Sequence, residues 1–152
     1  MTGKFFKDLW PNGRALAPAN GWFEWVKDPD DSKKKQPYFI RLKDESPMFF
    51  AALGQVRPGL EPDDRDGMVI ITAASDAGMV DIHDRRPLVL APDHTREWVH
   101  PGTSVERAAE IARECCRPVE DFTWYTVSKA VGNVRNHGPE LIEPVPQTDD
   151  AG

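Results

Sequence analysis

The stretch Gly21-Trp22-Phe23-Glu24-Trp25-Val26 is dense in aromatic residues, which favour extended backbone. It predicts a β-strand. Because side chains alternate along a strand, Glu24 would share one face with Trp22, and Trp25 would lie on the opposite face. The stretch therefore places one carboxylate within an aromatic strand.

Further strands are predicted by short runs of β-branched, aromatic and aliphatic residues at 38–42, 48–53, 68–73, 88–90 and 122–127. The segments between the predicted strands up to residue 90 are rich in Pro, Gly and Asp, as turns require. Many short strands close together favour a curled antiparallel sheet or barrel over alternating βαβ units. With two helices in the second half, the predicted class is α+β and β-rich.

The first helix is predicted over residues 92–100, because Pro92 stands near its start and Pro101-Gly102 ends it. The second follows Thr103-Ser104-Val105-Glu106, a capping box with Thr103 as the N-cap. Apolar residues recur at helical spacing from there to Cys115 and Cys116. Adjacent cysteines cannot close a loop within one chain, so we interpret them as small buried side chains on this helix, with a reactive thiol pair as the alternative.

The composition is typical of one globular domain, with 152 residues, 39% hydrophobic and 29% charged. We expect a domain over residues 1–146 followed by a disordered polar tail at 147–152. The start lacks a secretory signal and no run reaches membrane-spanning length, which predicts a cytoplasmic protein. A net charge of −6 opposes general affinity for nucleic acids, but it is compatible with a small basic cleft.

Bulky apolar residues open the chain at Phe5, Phe6, Leu9 and Trp10, with no element before them. Two explanations are open. Either these side chains pack on later strands, or the chain lacks its beginning.

Glu24 is a candidate acid–base group, because apolar neighbours desolvate a carboxylate and raise its pKa. Such a group can hold and release a proton near neutral pH. The alternative is an ordinary strand residue that is solvated or paired beside Lys27.

His83 lies in Asp81-Ile82-His83-Asp84-Arg85-Arg86-Pro87, among two carboxylates and two guanidinium groups. Asp81 or Asp84 could orient the ring, and Arg85 with Arg86 could bind an anion beside it. The alternative is a surface turn with balanced charges.

Other chemistries lack a pattern. His94 and His100 do not have the spacing of metal ligands on one helix face, so no metal is predicted. The sequence has no glycine-rich phosphate loop, so no cofactor is predicted. Lys33-Lys34-Lys35 is explained better by a solvated hairpin loop than by contact with nucleic acid.

Ordered blocks over most of the chain resemble the SRAP (SOS response-associated peptidase) family, and most closely its bacterial abasic-site processing members. They are 21–25, 36–40, 50–54, 71–74, 80–87, 131–136 and 139–142. The resemblance implies a β-rich pseudo-barrel with flanking helices. It also implies a DNA-damage function, with single-stranded DNA carrying an abasic site as the partner.

In that family the cysteine after the initiator methionine joins its amine and thiol to the abasic aldehyde, forming a thiazolidine cross-link. By resemblance, Glu24 assists sugar ring opening, and His83 assists the covalent step and its reversal. Thr72 and Arg85 would lie along the DNA phosphates, and Trp25 near the bound strand. The family activity is of the autopeptidase and DNA lyase type.

The sequence departs from the family at position 2, which is Thr2, and its cysteines lie only at 115 and 116. We therefore expect a partial SRAP domain, incomplete at the N-terminus, with the Glu24 and His83 half of the site but no covalent nucleophile. Whether this chain is an enzyme is left open. The alternatives are a non-catalytic remnant that binds single-stranded DNA and a structural or interaction protein.

Overall fold

The computed structural model describes residues 4–55, 59–75, 79 and 82–146. The strands are β1 (Arg14–Ala19), β2 (Trp22–Lys27), β3 (Lys35–Leu42), β4 (Met48–Gln55), β5 (Gly67–Ile70), β6 (Thr72–Ala74), β7 (Arg85–Pro87) and β8 (Phe122–Thr126). The α-helices are α1 (Lys4–Lys7), α2 (Leu9–Asn12), α3 (Thr95–Val99) and α4 (Val105–Glu114). Short 3-10 helices cover Pro92–His94, Val119–Asp121, Lys129–Gly132 and Pro139–Ile142.

The strands form three antiparallel sheets, ordered β1-β4-β5, β2-β3-β8 and β6-β7. The chain divides into two compact units. The first contains the four α-helices with the β1-β4-β5 and β6-β7 sheets, and the second contains the β2-β3-β8 sheet and the loop that carries His83. No helix in the described ranges is long and apolar enough to cross a membrane.

The core of the first unit is built around Trp98, which is fully buried. Its indole Nε1 donates to the carbonyl oxygen of Ala15 over 2.9 Å, and Trp10 packs edge-on with ring centroids 5.7 Å apart. Phe6 and Leu9 also pack against this core. The apolar residues at the start are thus accounted for by packing, except Phe5, whose side chain lies outside the described part.

Arg14 joins four segments of the first unit through main-chain carbonyl groups. Its guanidinium donates to the carbonyls of Trp98, His100 and Thr103 over 2.7, 3.0 and 3.0 Å. It also donates to those of Trp10 and Pro11. Burial lowers the pKa of Arg14, and five carbonyl acceptors compensate for the lost water.

The second unit is held by side chains that face each other across the β2-β3-β8 sheet. Phe23 lies opposite Phe39, and Phe39 opposite Tyr125, with ring centroids 5.2 and 6.0 Å apart. Position 21, just before β2, must be glycine, because a Cβ there would lie 2.4 Å from the Phe39 ring. Such cross-strand aromatic pairs stabilise the register of a sheet.

Most predicted strands are present, but two predictions about them are wrong. The segment 68–73 is not one strand. Ile71 donates to Ala51 and accepts from Leu88, so the chain changes partners there, between β5 and β6. The segment 88–90 forms only isolated bridges, and the strand lies just before it, in β7.

The helix predictions need one correction at each end of α4. The N-cap is Ser104 and not Thr103, since the Ser104 hydroxyl accepts from the amide of Arg107 over 3.1 Å. Thr103 instead donates its hydroxyl to the carbonyl of Glu97. At the other end α4 stops at Glu114, so both cysteines follow the helix, and both are only partly buried.

Candidate acid–base site and strand contacts

Glu24 lies in β2 opposite Tyr38 and is partly buried. Burial is the largest influence on its carboxyl group and raises the pKa above the usual value. The charge of His83 and a hydrogen bond from the Trp22 side chain act in the opposite direction. Desolvation outweighs both of these effects, so the pKa of the Glu24 carboxyl group is raised.

His83 is carried by a loop anchored on Met79, which is buried. The Met79 carbonyl accepts from the amides of Ile82 and His83 over 3.0 and 3.1 Å. The His83 Nδ1 lies 3.3 Å from Asp84 Oδ1, with the imidazole about half exposed at 47%. Of the two predicted orienting carboxylates, Asp84 contacts the ring, and Asp81 lies outside the described residues.

Glu24 and His83 are far apart in sequence, yet both belong to the second unit, and the charge of His83 acts on the Glu24 carboxyl group. A carboxyl group with a raised pKa that also feels the charge of an imidazole is suited to exchange protons with a bound substrate. Nothing in the local sequence shows this electrostatic influence.

Ser75 is a residue that the sequence analysis did not select. Its amide donates to the Asp84 carbonyl over 2.9 Å, which closes the base of the His83 loop. Its buried hydroxyl oxygen has no hydrogen-bond partner within the described residues. No pattern in the sequence identifies this position, because the Asp84 contact arises only in the folded loop.

Thr72 and Arg85 form a joined pair in the first unit. Arg85 Nη2 donates to the carbonyl and hydroxyl oxygens of Thr72 over 2.8 and 2.9 Å, and Nε approaches the hydroxyl at 3.3 Å. The guanidinium is thus held in place while Arg85 stays exposed. Arg86 differs, because strand alternation buries it and Nη2 donates to the Arg117 carbonyl over 3.1 Å. Of the two arginines predicted to bind an anion, Arg85 is exposed and Arg86 is buried, and the anion site itself stays a prediction.

Trp25 is 41% exposed and lies on the face of β2 opposite to Glu24. Its direct cross-strand neighbour is Pro37, and the Phe23 ring lies 6.3 Å away. Trp25 therefore does not line the Glu24 face, although it can stack on a ligand at the outer side of the strand.

Within the ranges that the structure describes, no cluster of three or more His, Cys, Asp or Glu side chains could hold a metal ion. The prediction that no cofactor is needed stays a prediction.

Replacing Glu24 with Gln should change how thermal stability depends on pH. Because the folded state raises the Glu24 pKa, this residue stabilises the fold below its unfolded pKa, and that contribution is lost as pH rises through the folded value. Glutamine cannot ionise, so Glu24→Gln should melt at a higher temperature than wild type at neutral pH. The side chain is only partly buried and solvent screens its charge, so the gain should stay below about 1 kcal/mol.

The measurement is the melting temperature of both proteins from acidic to neutral pH. The difference should grow with pH. Glu120→Gln, an exposed change in the same unit, is the matched control and should show no such trend. A Glu24→Gln difference that is the same at every pH would contradict the assignment.

Comparison with known proteins gives independent information. The family model of SRAP, "SOS response associated peptidase (SRAP)", matches residues 1–134. The "Abasic site processing protein YedK" of Escherichia coli K12 is 52% identical over 144 residues, which are 95% of this chain and 63% of that protein. The "Abasic site processing protein YoaM" of Bacillus subtilis is 32% identical over 132 residues, covering 86% of this chain and 56% of that protein. The chain thus spans about three fifths of these relatives' length.

Solved structures agree on the fold. A phage-related protein from Bordetella bronchiseptica matches with a TM-score of 0.71 and 43% identity, covering 84% of this chain and 59% of that one. A protein from Bacteroides thetaiotaomicron matches with a TM-score of 0.72 over 95% of this chain and 62% of that one, at 22% identity, which supports the fold alone. The predicted β-rich α+β class is confirmed. The match over residues 1–134 and the 52% identity show that the chain belongs to the SRAP family.

Proposed function

We propose that this chain acts on abasic sites in single-stranded DNA as part of a DNA-damage response, with Glu24 and His83 as its acid–base pair. The observation that carries the proposal is the partly buried Glu24, whose carboxyl pKa is raised by desolvation while the charge of His83 acts on it. The relatives named as abasic site processing proteins support the substrate class. A cytoplasmic location, where DNA is accessible, belongs to the same proposal.

The proposed chemistry begins with the closed sugar of the abasic site. Opening this hemiacetal requires a proton to reach the ring oxygen as one leaves the hydroxyl group, and Glu24 in its protonated form supplies it. The aldehyde can then condense with an amine and lose water. His83, oriented by Asp84, moves the proton in that step and in its reversal.

The DNA strand is proposed to be held by side chains outside this pair. Arg85 presents a guanidinium group already fixed by Thr72, so little side-chain entropy is lost when it binds a phosphate. Thr72 acts in this proposal by positioning Arg85. Trp25 offers an exposed ring on which a base can stack.

The test is binding of wild type and Arg85→Glu to three DNAs: an abasic single strand, the intact single strand and a duplex. Wild type should bind the abasic single strand most tightly. Arg85→Glu should bind both single strands more weakly and lower the salt slope by about one unit at most, because one phosphate contact is lost. Fluorescence anisotropy at several salt concentrations measures both quantities.

Arg113→Glu is the matched control, since it makes the same charge change at an exposed position of α4. It should leave the salt slope close to that of wild type. Equal slopes for folded Arg85→Glu and wild type would remove Arg85 from the site. Equal affinity of wild type for abasic DNA, intact DNA and duplex would contradict the proposed function itself.

A further inference from the structure

The segment that follows β8 in the second unit encloses an open cleft of about 350 Å³. Its lining residues are Ala130, Arg135, Asn136, His137, Glu140 and Leu141. A cleft of this volume is large enough for a small ligand. None of the lining residues belongs to the acid–base pair or to the strand contacts proposed above, so the cleft is a separate feature of this unit.

Hydrogen bonds within the segment fix the shape of the cleft. Asn136 Nδ2 donates to the carbonyl of Ala130, and the amide of Asn136 donates to the carbonyl of Asn133, both over 2.9 Å. The amide of Arg135 donates to Asn133 Oδ1 over 3.0 Å. The His137 Nδ1 lies 3.3 Å from the Arg135 carbonyl oxygen. The backbone of the cleft is therefore formed before any ligand binds, which lowers the entropy lost on binding.

Two opposite charges line the cleft without pairing with each other. Gly138 has φ +133°, a conformation that favours glycine, and a Cβ there would collide with the Glu140 carboxylate. The carboxylate thus lies against the backbone of this glycine. Among the residues that the structure describes, neither the Arg135 guanidinium nor the Glu140 carboxylate makes an ion pair or a side-chain hydrogen bond. Both groups are therefore available to a ligand.

A ligand that uses both groups must offer acceptors to the guanidinium and donors to the carboxylate. Guanine does so with neighbouring edges, because N7 and O6 accept from arginine while N1–H and the N2 amino group donate to a carboxylate. The other DNA bases lack this order of two acceptors followed by two donors. The exposed His137 ring can stack on the base. In a duplex the N1 and N2 donors are already paired with cytosine, so only a single strand offers both edges.

The sheet of the second unit links the cleft to the Glu24 position. Thr126 in β8 pairs with Tyr38 in β3, and Tyr38 pairs with Glu24 in β2, so the three lie in one row of the sheet. Two strand spacings separate Thr126 from Glu24 by about 10 Å. The chain runs from Thr126 directly into the cleft at Ala130. A strand with its abasic site at Glu24 can thus reach the cleft with a base a few nucleotides away.

We propose that this cleft binds an unpaired guanine of the single strand, with Arg135 on the N7 and O6 edge and Glu140 on the N1 and N2 edge. The inference rests on the proposed function and deepens it, because the cleft would select the sequence beside the abasic site. Phosphate contacts cannot supply such selection, since phosphates are the same at every position.

The experiment uses oligothymidine with one tetrahydrofuran abasic analogue and a single guanine placed at each nearby position in turn. At one position, guanine should tighten binding about fivefold or more over the all-thymine strand, the effect of a good bidentate base contact. Hypoxanthine at that position removes the N2 amino group, and 7-deazaguanine removes the N7 acceptor. Each base analogue should lose part of the gain, as measured by fluorescence anisotropy.

Variants then assign each edge of the base to one side chain. Arg135→Ala should bind guanine and 7-deazaguanine strands equally, because the partner of N7 is gone. Glu140→Ala should bind guanine and hypoxanthine strands equally, because the partner of the N2 amino group is gone. The matched controls are Lys129→Ala and Glu143→Ala, which remove the same charges from exposed positions outside the cleft lining. Both controls should keep the wild-type preference for guanine.

Three results would overturn the inference. The first is that guanine tightens binding at no position. The second is that Arg135→Ala weakens binding to all-thymine and guanine strands equally and lowers the salt slope, which would make Arg135 a phosphate contact. The third is that Glu140→Ala strengthens binding to every strand equally, which would reduce Glu140 to a repulsive charge.

The inference and the proposed function fail in different ways. If wild type prefers abasic DNA but is indifferent to guanine, the base cleft is wrong and the proposed function stands. If guanine tightens binding to intact and abasic strands alike while wild type shows no preference for abasic DNA, the proposed function is wrong and the base cleft stands. Melting temperatures of all variants establish that each is folded.

Discussion

The 152-residue chain, expressed as it stands, is expected to form no heat-stable cross-link with abasic single-stranded DNA. A thiazolidine needs an amine and a thiol on adjacent carbons of one residue, and Thr2 provides no thiol. Cys115 and Cys116 are internal, so neither has a free amine beside its thiol. Burial also raises the pKa of the Cys116 thiol, which disfavours the reactive thiolate. A denaturing gel after heating measures the outcome.

Without a 1,2-aminothiol, the chemistry expected of this chain is a reversible imine through the N-terminal amine or a lysine. Borohydride reduction would trap it, and Glu24→Gln should lower the trapped fraction because ring opening then lacks its proton donor. A family member with cysteine at position 2 is the positive control for the gel. A heat-stable shifted band from this chain alone, without reduction, would refute the argument.

Trp98→Ala should destabilise the first unit by about 3–5 kcal/mol, the range for removing a large buried aromatic side chain. Trp98 is completely buried, and its ring contacts Trp10 edge-on. The substitution leaves a cavity and removes the donor to the Ala15 carbonyl. Urea unfolding, followed by circular dichroism, should show a large shift of the midpoint to lower urea.

Trp25→Ala is the matched control, because it deletes the same atoms from a side chain that is 41% exposed. Its cost should stay below about 1 kcal/mol, as for most exposed positions. Trp98→Ala should thus lower the stability of the fold, whereas Trp25→Ala should mainly weaken DNA binding. Equal destabilisation by both substitutions would contradict the role given to Trp98.

Features that depend on neighbours along the chain could be predicted from the amino-acid sequence. The aromatic alternation of β2 predicted that Glu24 and Trp25 lie on opposite faces, and the register of the sheet agrees. Helix α4 was predicted with its cap displaced by one residue, because Thr103 and Ser104 both suit a cap. The ordered blocks predicted the family, which the comparisons confirm.

Features that join distant segments could not be predicted and are seen only in the folded chain. Strand β1, with its alanines and Pro18, has weak local preference and forms because it pairs with β4 at the edge of a sheet. The five carbonyl acceptors of Arg14 belong to residues from Trp10 to Thr103. The burial of Arg86 and the influence of His83 on Glu24 arise in the same way. Strand pairing and burial depend on which distant backbones meet, and local side-chain patterns do not encode that choice.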